Sequence, residues 1–174
     1  ENADDGAITL LPIVDTTDGA STQDNSLNAR IATLRGTAVP VATAPWALGF
    51  NASKIIPTAL AQRYRYDESL RSGEDVAYFA NFLRTPGLLL HTPQAREETA
   101  YVRSIRPDSV SRQRESFDFN VVQRLECIAK LRDIEEANRK QRALEKLEQA
   151  QFGFVENYLT AHPGVEPVSY THLR

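Results

Sequence analysis

Ser72-Gly73-Glu74-Asp75-Val76-Ala77-Tyr78-Phe79-Ala80-Asn81-Phe82-Leu83, residues 72–83 of a 174-residue chain, sets the architecture. Val76, Phe79, Ala80 and Leu83 recur at helical spacing, which predicts a helix with one buried face. Glu74 and Asp75 fall in its first turn, where the helix dipole favours negative charge. Pro86-Gly87 ends it, and Leu88-Leu89-Leu90-His91 then reads as a buried strand. A helix delivering a short apolar strand places the chain in the α/β class.

Working towards the N-terminus, residues 64–72 are polar and aromatic and read as a loop. Thr58 is placed to cap a short helix reaching Ala61. Residues 46–50 are apolar and lead into Ser53-Lys54-Ile55-Ile56-Pro57, which reads as a helix broken by its proline. Residues 36–45 are β-branched and proline-punctuated, hence extended or loop. Leu27, Ile31 and Leu34 give residues 26–34 a weak helical period. Residues 7–14 form an apolar run, a strand or a helix end, followed by a polar loop through Asn25.

Towards the C-terminus, residues 99–105 alternate loosely and predict a strand closed by Pro107. The character changes after Phe117. Val121, Leu125, Ile128 and Ile134 form one helical stripe, and Leu144, Leu147, Val155 and Tyr158 a second, interrupted by Gly153. Charges fill the other faces, so a helical appendage, in the form of a hairpin, is expected here.

The composition is 41% apolar, 25% charged and 8% aromatic, which excludes disorder throughout. The net charge of -3 and pI near 5.7 lack the basic excess of a nucleic-acid-coating protein, so no nucleic-acid partner is expected. Cys127 is the only cysteine, which excludes an intrachain disulfide and a cysteine zinc site and fits a reducing, cytoplasmic compartment. No run approaches the roughly 18 apolar residues of a membrane span. The chain starts at Glu1 and has no methionine, and its end, Val168-Ser169-Tyr170-Thr171-His172-Leu173-Arg174, resembles a translated adapter. A fragment at both ends is therefore expected.

The order of features is distinctive. A tryptophan segment at Trp46 is followed by the loop Tyr66-Asp67-Glu68-Ser69-Leu70, then by Gly73-Glu74-Asp75 opening a helix, then by a strand. Tyr101-Val102-Arg103-Ser104-Ile105-Arg106-Pro107-Asp108-Ser109-Val110-Ser111 closes the series. Over residues 46–111 this resembles the C-terminal half of family 2 glycosyltransferases of the GT-A fold. The resemblance implies a partial, Rossmann-like GT-A domain over residues 1–111; the helical stripes then predict a helical extension over 112–162, and the adapter-like end a disordered, partly artefactual tail over 163–174.

It further implies an inverting transfer of sugar from a nucleotide-sugar donor to a glycan acceptor in bacterial surface polysaccharide synthesis. Asp75 is then the general base, with Glu74 beside it on the acceptor side. Arg103 and Arg106 offer guanidinium forks, and Ser109 and Ser111 hydroxyls, to the leaving diphosphate. Trp46 would stack on a sugar ring. Each residue has a plainer reading as well: the acidic pair as helix-capping charges, the arginine segment as a solvated loop, Trp46 as core. His91 is expected as an ordinary core or surface histidine.

Members of that family hold the donor with an N-terminal half and a divalent metal, Mg or Mn, on an Asp-x-Asp motif. No Asp-x-Asp occurs here, and Asp4-Asp5 is not assigned as a metal site, so the metal ligands are expected outside this chain and the chain alone inactive. The strand at 88–90 is expected to lack its neighbours and leave bare edges. For the intact enzyme the resemblance adds peripheral association with the inner face of the membrane. A competing reading is a non-enzymatic module, in which the C-terminal helices mediate docking or homo-oligomer formation.

Overall fold

The computed structural model describes residues 6–94, 99–105, 116–138 and 142–164. Arg106, Pro107, Ser109, Ser111, Asp4-Asp5 and the run 168–174 lie outside the described residues. The architecture is mixed α/β, as the sequence predicts.

A four-stranded sheet holds β1 (Ala7–Leu10), β4 (Thr37–Pro40), β5 (Lys54–Ile55) and β6 (Leu89–Thr92), in the order β4-β6-β1-β5. β6 runs parallel to β1, with Ala7 opposite Leu89 and Ile8 opposite Leu90. Its other side pairs antiparallel with β4, Val39 opposite Leu90. The bare edges expected at residues 88–90 are therefore corrected: the apolar run is an inner strand, and β4 and β5 form the sheet edges.

A second sheet, in the order β3-β2-β7, joins β2 (Ile13–Thr17), β3 (Ala20–Thr22) and β7 (Tyr101–Ser104). The polar stretch after residue 14, expected as a loop, is a hairpin, with Thr17 opposite Ala20 across Asp18-Gly19. Both turn residues have positive φ, 48° and 83°. Asp-Gly suits the two-residue turn whose twist matches that of the strands. The strand expected over 99–105 forms as β7, parallel to β2.

α1 (Ser26–Ala32) is capped by Asn25, whose Oδ1 accepts from the Asn28 N–H at 2.8 Å. α2 (Thr58–Ala61) starts at Thr58 rather than after it: Pro57 holds the cap position and Thr58 makes no capping bond. Residues 53–57 are not a broken helix: Lys54–Ile55 is the short strand β5. Lys54 pairs with Leu10, and Ile56, preceding a proline, is pushed towards extended backbone.

α3 (Glu74–Ala80) forms as expected and runs on as a 3-10 turn, Asn81–Arg84. Val76, Phe79 and Ala80 are almost wholly buried, and Phe82 follows them into the core.

The C-terminal segment is helical, as expected. A wide π-helical turn, Asp118–Val122, leads into α4 (Gln123–Asn138), and α5 (Arg142–Ala161) follows. The wide turn shifts the helical phase. Leu125, assigned to the stripe from the sequence, is 44% exposed, while Cys127, Ile128, Leu131 and Ile134 are buried. α5 continues through Gly153. The helices are not set apart: Cys127, Leu131, Ile134, Leu144 and Leu147 share one core with Ile8, Leu10, Phe79 and Leu90. Among the described residues no helix is long and apolar enough to cross a membrane.

Candidate active site around Asp75

Gly73 turns the chain into α3 with φ 80° and ψ 10°, a left-handed conformation that glycine adopts without steric cost. A β-carbon there would lie 2.9 Å from Cys127 Sγ, so the backbone can approach α4 this closely only as glycine. The Cys127 thiol donates to the Gly73 carbonyl at 3.3 Å. Burial pushes that thiol up to about 12, so it stays protonated and able to donate.

The loop before Gly73 is tied to the same helical segment. Asp67 pairs with Lys130 at 2.8 Å and Arg71 with Asp118 at 2.6 Å. The Arg71 N–H donates to Oε1 of buried Gln123 at 2.7 Å. The C-terminal helices thus hold in place the turn that carries the acidic pair.

Glu74 and Asp75 are both partly buried. Asp75 Oδ1 accepts from the Val76 N–H at 2.8 Å. Burial, and then the neighbouring Glu74 charge, raise the proton affinity of the Asp75 carboxyl. The Val76 bond, Lys54 and Arg124 oppose that shift without reversing it.

Lys54 and Arg124 complete the cluster. The Lys54 ammonium donates to the Phe50 carbonyl, lies 3.8 Å from the Phe50 ring centre and 4.6 Å from that of Phe79. Phe79 is one helical turn after Asp75, on the same face. Burial lowers the Lys54 ammonium to about 7, with Asp75 pulling the other way. Arg124 donates to Gln151 Oε1 at 2.7 Å and lies 4.5 Å over the Phe154 ring. Its Nε is buried with no hydrogen-bond partner among the described residues.

Trp46 is connected to this cluster through aromatic contacts. It stacks on Phe50 with ring centres 6.3 Å apart, and Arg30 covers it at 4.7 Å. Arg103 is engaged elsewhere: it grips Asp15 in the second sheet with two bonds, at 2.6 and 2.9 Å. Asn25 donates to the same carboxylate at 3.1 Å. The structure therefore gives Arg103 a protein carboxylate as partner. Arg106, Ser109 and Ser111 lie outside the described residues.

Lys54, Arg124 and Cys127 were not singled out from the sequence as site residues. A lysine within Ser53-Lys54-Ile55-Ile56 was the available signal for Lys54, since an ammonium amid apolar neighbours titrates low. Arg124 and Cys127 gave none, because the π-helical turn sets which way they face.

Among the described residues no three His, Cys, Asp or Glu side chains are placed to hold a metal ion. A cavity of about 400 Å³ lies elsewhere, lined by Pro40, Val41, Phe82, Thr85, Leu89 and Arg142 among others, and includes none of the expected site residues. Compared with known proteins, the chain matches no family model, no curated protein and no solved structure.

Proposed function

We propose that this chain is the acceptor-binding half of an inverting family 2 glycosyltransferase of the GT-A fold, working at the cytoplasmic face of a bacterial membrane on surface polysaccharide. The observation that carries the reading is Asp75, a partly buried carboxylate of raised proton affinity at the start of α3, with Glu74, Lys54 and Arg124 in electrostatic reach. A base works best when its proton affinity approaches the operating pH. In the proposed step Asp75 takes the proton from an acceptor hydroxyl. That oxygen bonds to the anomeric carbon, and the carbon–oxygen bond to the nucleoside diphosphate breaks, its electron pair leaving with the diphosphate.

The test is sugar transfer by a chimera joining this chain to a donor-binding half that carries an Asp-x-Asp motif. The assay supplies a nucleotide sugar and Mg or Mn. Asp75→Asn keeps the shape and removes the basic oxygen, so turnover should fall about a hundredfold or more while donor KM changes little. A folded Asp75→Asn chimera with near-normal turnover would end the proposal.

A second reading, a helical interaction or homo-oligomer module, is favoured by exposed Leu125, Phe152 and Leu159 on the C-terminal helices. Light scattering of the chain across a concentration series decides it. Mass that stays monomeric, and does not respond to Phe152→Ser, removes self-association.

A further inference from the structure

We infer that Tyr66 is a carbohydrate-stacking platform, the acceptor-sugar subsite of the Asp75 centre. The inference rests on the transfer reading for the subsite's purpose, but its binding chemistry stands apart from catalysis.

Tyr66 stacks on Tyr78, ring centres 4.2 Å apart and planes 10° from parallel. Tyr78 is itself fixed: its hydroxyl donates to the Ala61 carbonyl at 2.8 Å, and its ring packs edge-on against Phe79 and Phe82. One face of Tyr66 is thus seated on a rigid aromatic wall, yet the residue remains 42% exposed. An exposed aromatic ring on a soft loop would be an ordinary surface feature. A ring held flat by a core residue presents a fixed apolar plane to solvent, with little ordering entropy left to lose on binding.

Polar groups surround this plane. The Tyr66 hydroxyl points at Asn51 Oδ1, 3.4 Å away. Tyr78 follows Glu74 and Asp75 by four and three residues on α3, so the two carboxylates stand on the side of the helix that seats the Tyr66 ring. A pyranose has an apolar C–H face and a rim of hydroxyls. A flat aromatic surface next to carboxylates and an amide matches both features, whereas a purely apolar ligand would make no use of the polar groups.

The experiment uses the 174-residue chain carrying ring-labelled tyrosine. Methyl glucoside, methyl galactoside, methyl mannoside and N-acetylglucosamine are titrated in turn, with sorbitol as an acyclic control of similar hydroxyl content. Tyr66→Phe identifies the Tyr66 resonance. At least one pyranose should shift that resonance saturably, and sorbitol should not. Read from the resonance of the Tyr78 ring on which Tyr66 stacks, and which both variants retain, Tyr66→Ala should weaken binding about tenfold, and Tyr66→Phe by no more than about threefold, since the ring and not the hydroxyl carries the contact. The Ala variant is checked for folding by its melting transition. The wild-type titration stands without it.

The inference is overturned if no pyranose shifts Tyr66, if sorbitol shifts it equally, or if Tyr66→Ala binds as wild type does. Asp75→Asn separates the two readings. Pyranose binding that persists in this variant while the chimera's transfer is unaffected by Asp75→Asn leaves the platform standing and removes the base. Transfer that depends on Asp75 with no pyranose response at Tyr66 does the reverse.

Discussion

The Cys127 thiol and the Gly73 carbonyl, 54 positions apart in sequence, meet at 3.3 Å. This contact joins the C-terminal helices to the turn that launches Glu74 and Asp75. It makes the helical segment a support for the candidate site, and its consequences can be measured.

Gly73→Ala should destabilise the chain by about 1–3 kcal/mol, because alanine is strained at positive φ and its β-carbon meets Cys127 Sγ. Combining it with Cys127→Ala should recover part of the loss by relieving the clash. Urea titration of the single and double variants measures this. Strictly additive losses would mean that the two residues do not touch.

Asp75→Asn should leave the chain at least as stable at pH 7. The folded state raises the proton affinity of Asp75, so an ionised carboxylate there opposes folding once the pH exceeds its unfolded value. A residue that served only as a first-turn charge would instead cost about 0.3–1 kcal/mol on neutralisation. Denaturant midpoints at pH 7 distinguish these roles, and a clear loss would favour capping.

Lys54 gives a pH signature. Its folded value of about 7 lies below the ordinary lysine value of about 10.4, so from pH 7 upward the unfolded chain holds the proton more firmly. Its contribution to stability therefore rises with pH. Cys127 acts in the opposite sense above about pH 8.5, where the unfolded thiol ionises and the buried one does not. Stability should climb between pH 7 and about 8.5 and then level, and Lys54→Met should flatten the climb. Parallel curves for wild type and variant would count against a buried Lys54 ammonium.

Arg103→Ala should lower stability by about 1–3 kcal/mol, because it removes two charge-assisted bonds from the Asp15 carboxylate, whose side chain is 11% exposed, and leaves Asn25 among its donors. Removing both partners should cost less than the sum of the single changes. Thermal melts of the three variants check this. A stable Arg103→Ala chain with weakened diphosphate binding in the chimera would return Arg103 to the donor site.

Much of the fold was legible because it was written in short-range patterns. The period of Val76, Phe79 and Ala80 gave α3, and the run Leu88–Leu90 gave the buried strand. Asp18-Gly19 was an equally local signal that a polar surrounding obscured. Register and neighbours were not legible: that β6 lies between β1 and β4 depends on pairings between distant segments. The site divides in the same way. Asp75 follows from its helix start, but Lys54, Arg124 and Tyr66 reach it through three-dimensional packing, and the strand pairing that sets Asp15 opposite Arg103 leaves no local mark in the sequence.

The parallel pairing of β1 with β6, and of β2 with β7, bears on how the chain reaches its native state. Residue 7 must wait for residue 89, and residue 13 for residue 101. Such long-range closures slow folding, towards the millisecond-to-second range typical of non-local topologies. The β2–β3 hairpin and the α4–α5 pair need no distant partner and can form first. During synthesis β1 and β2 emerge well before their parallel partners, so each keeps one edge unpaired until residues near 92 and 104 have emerged.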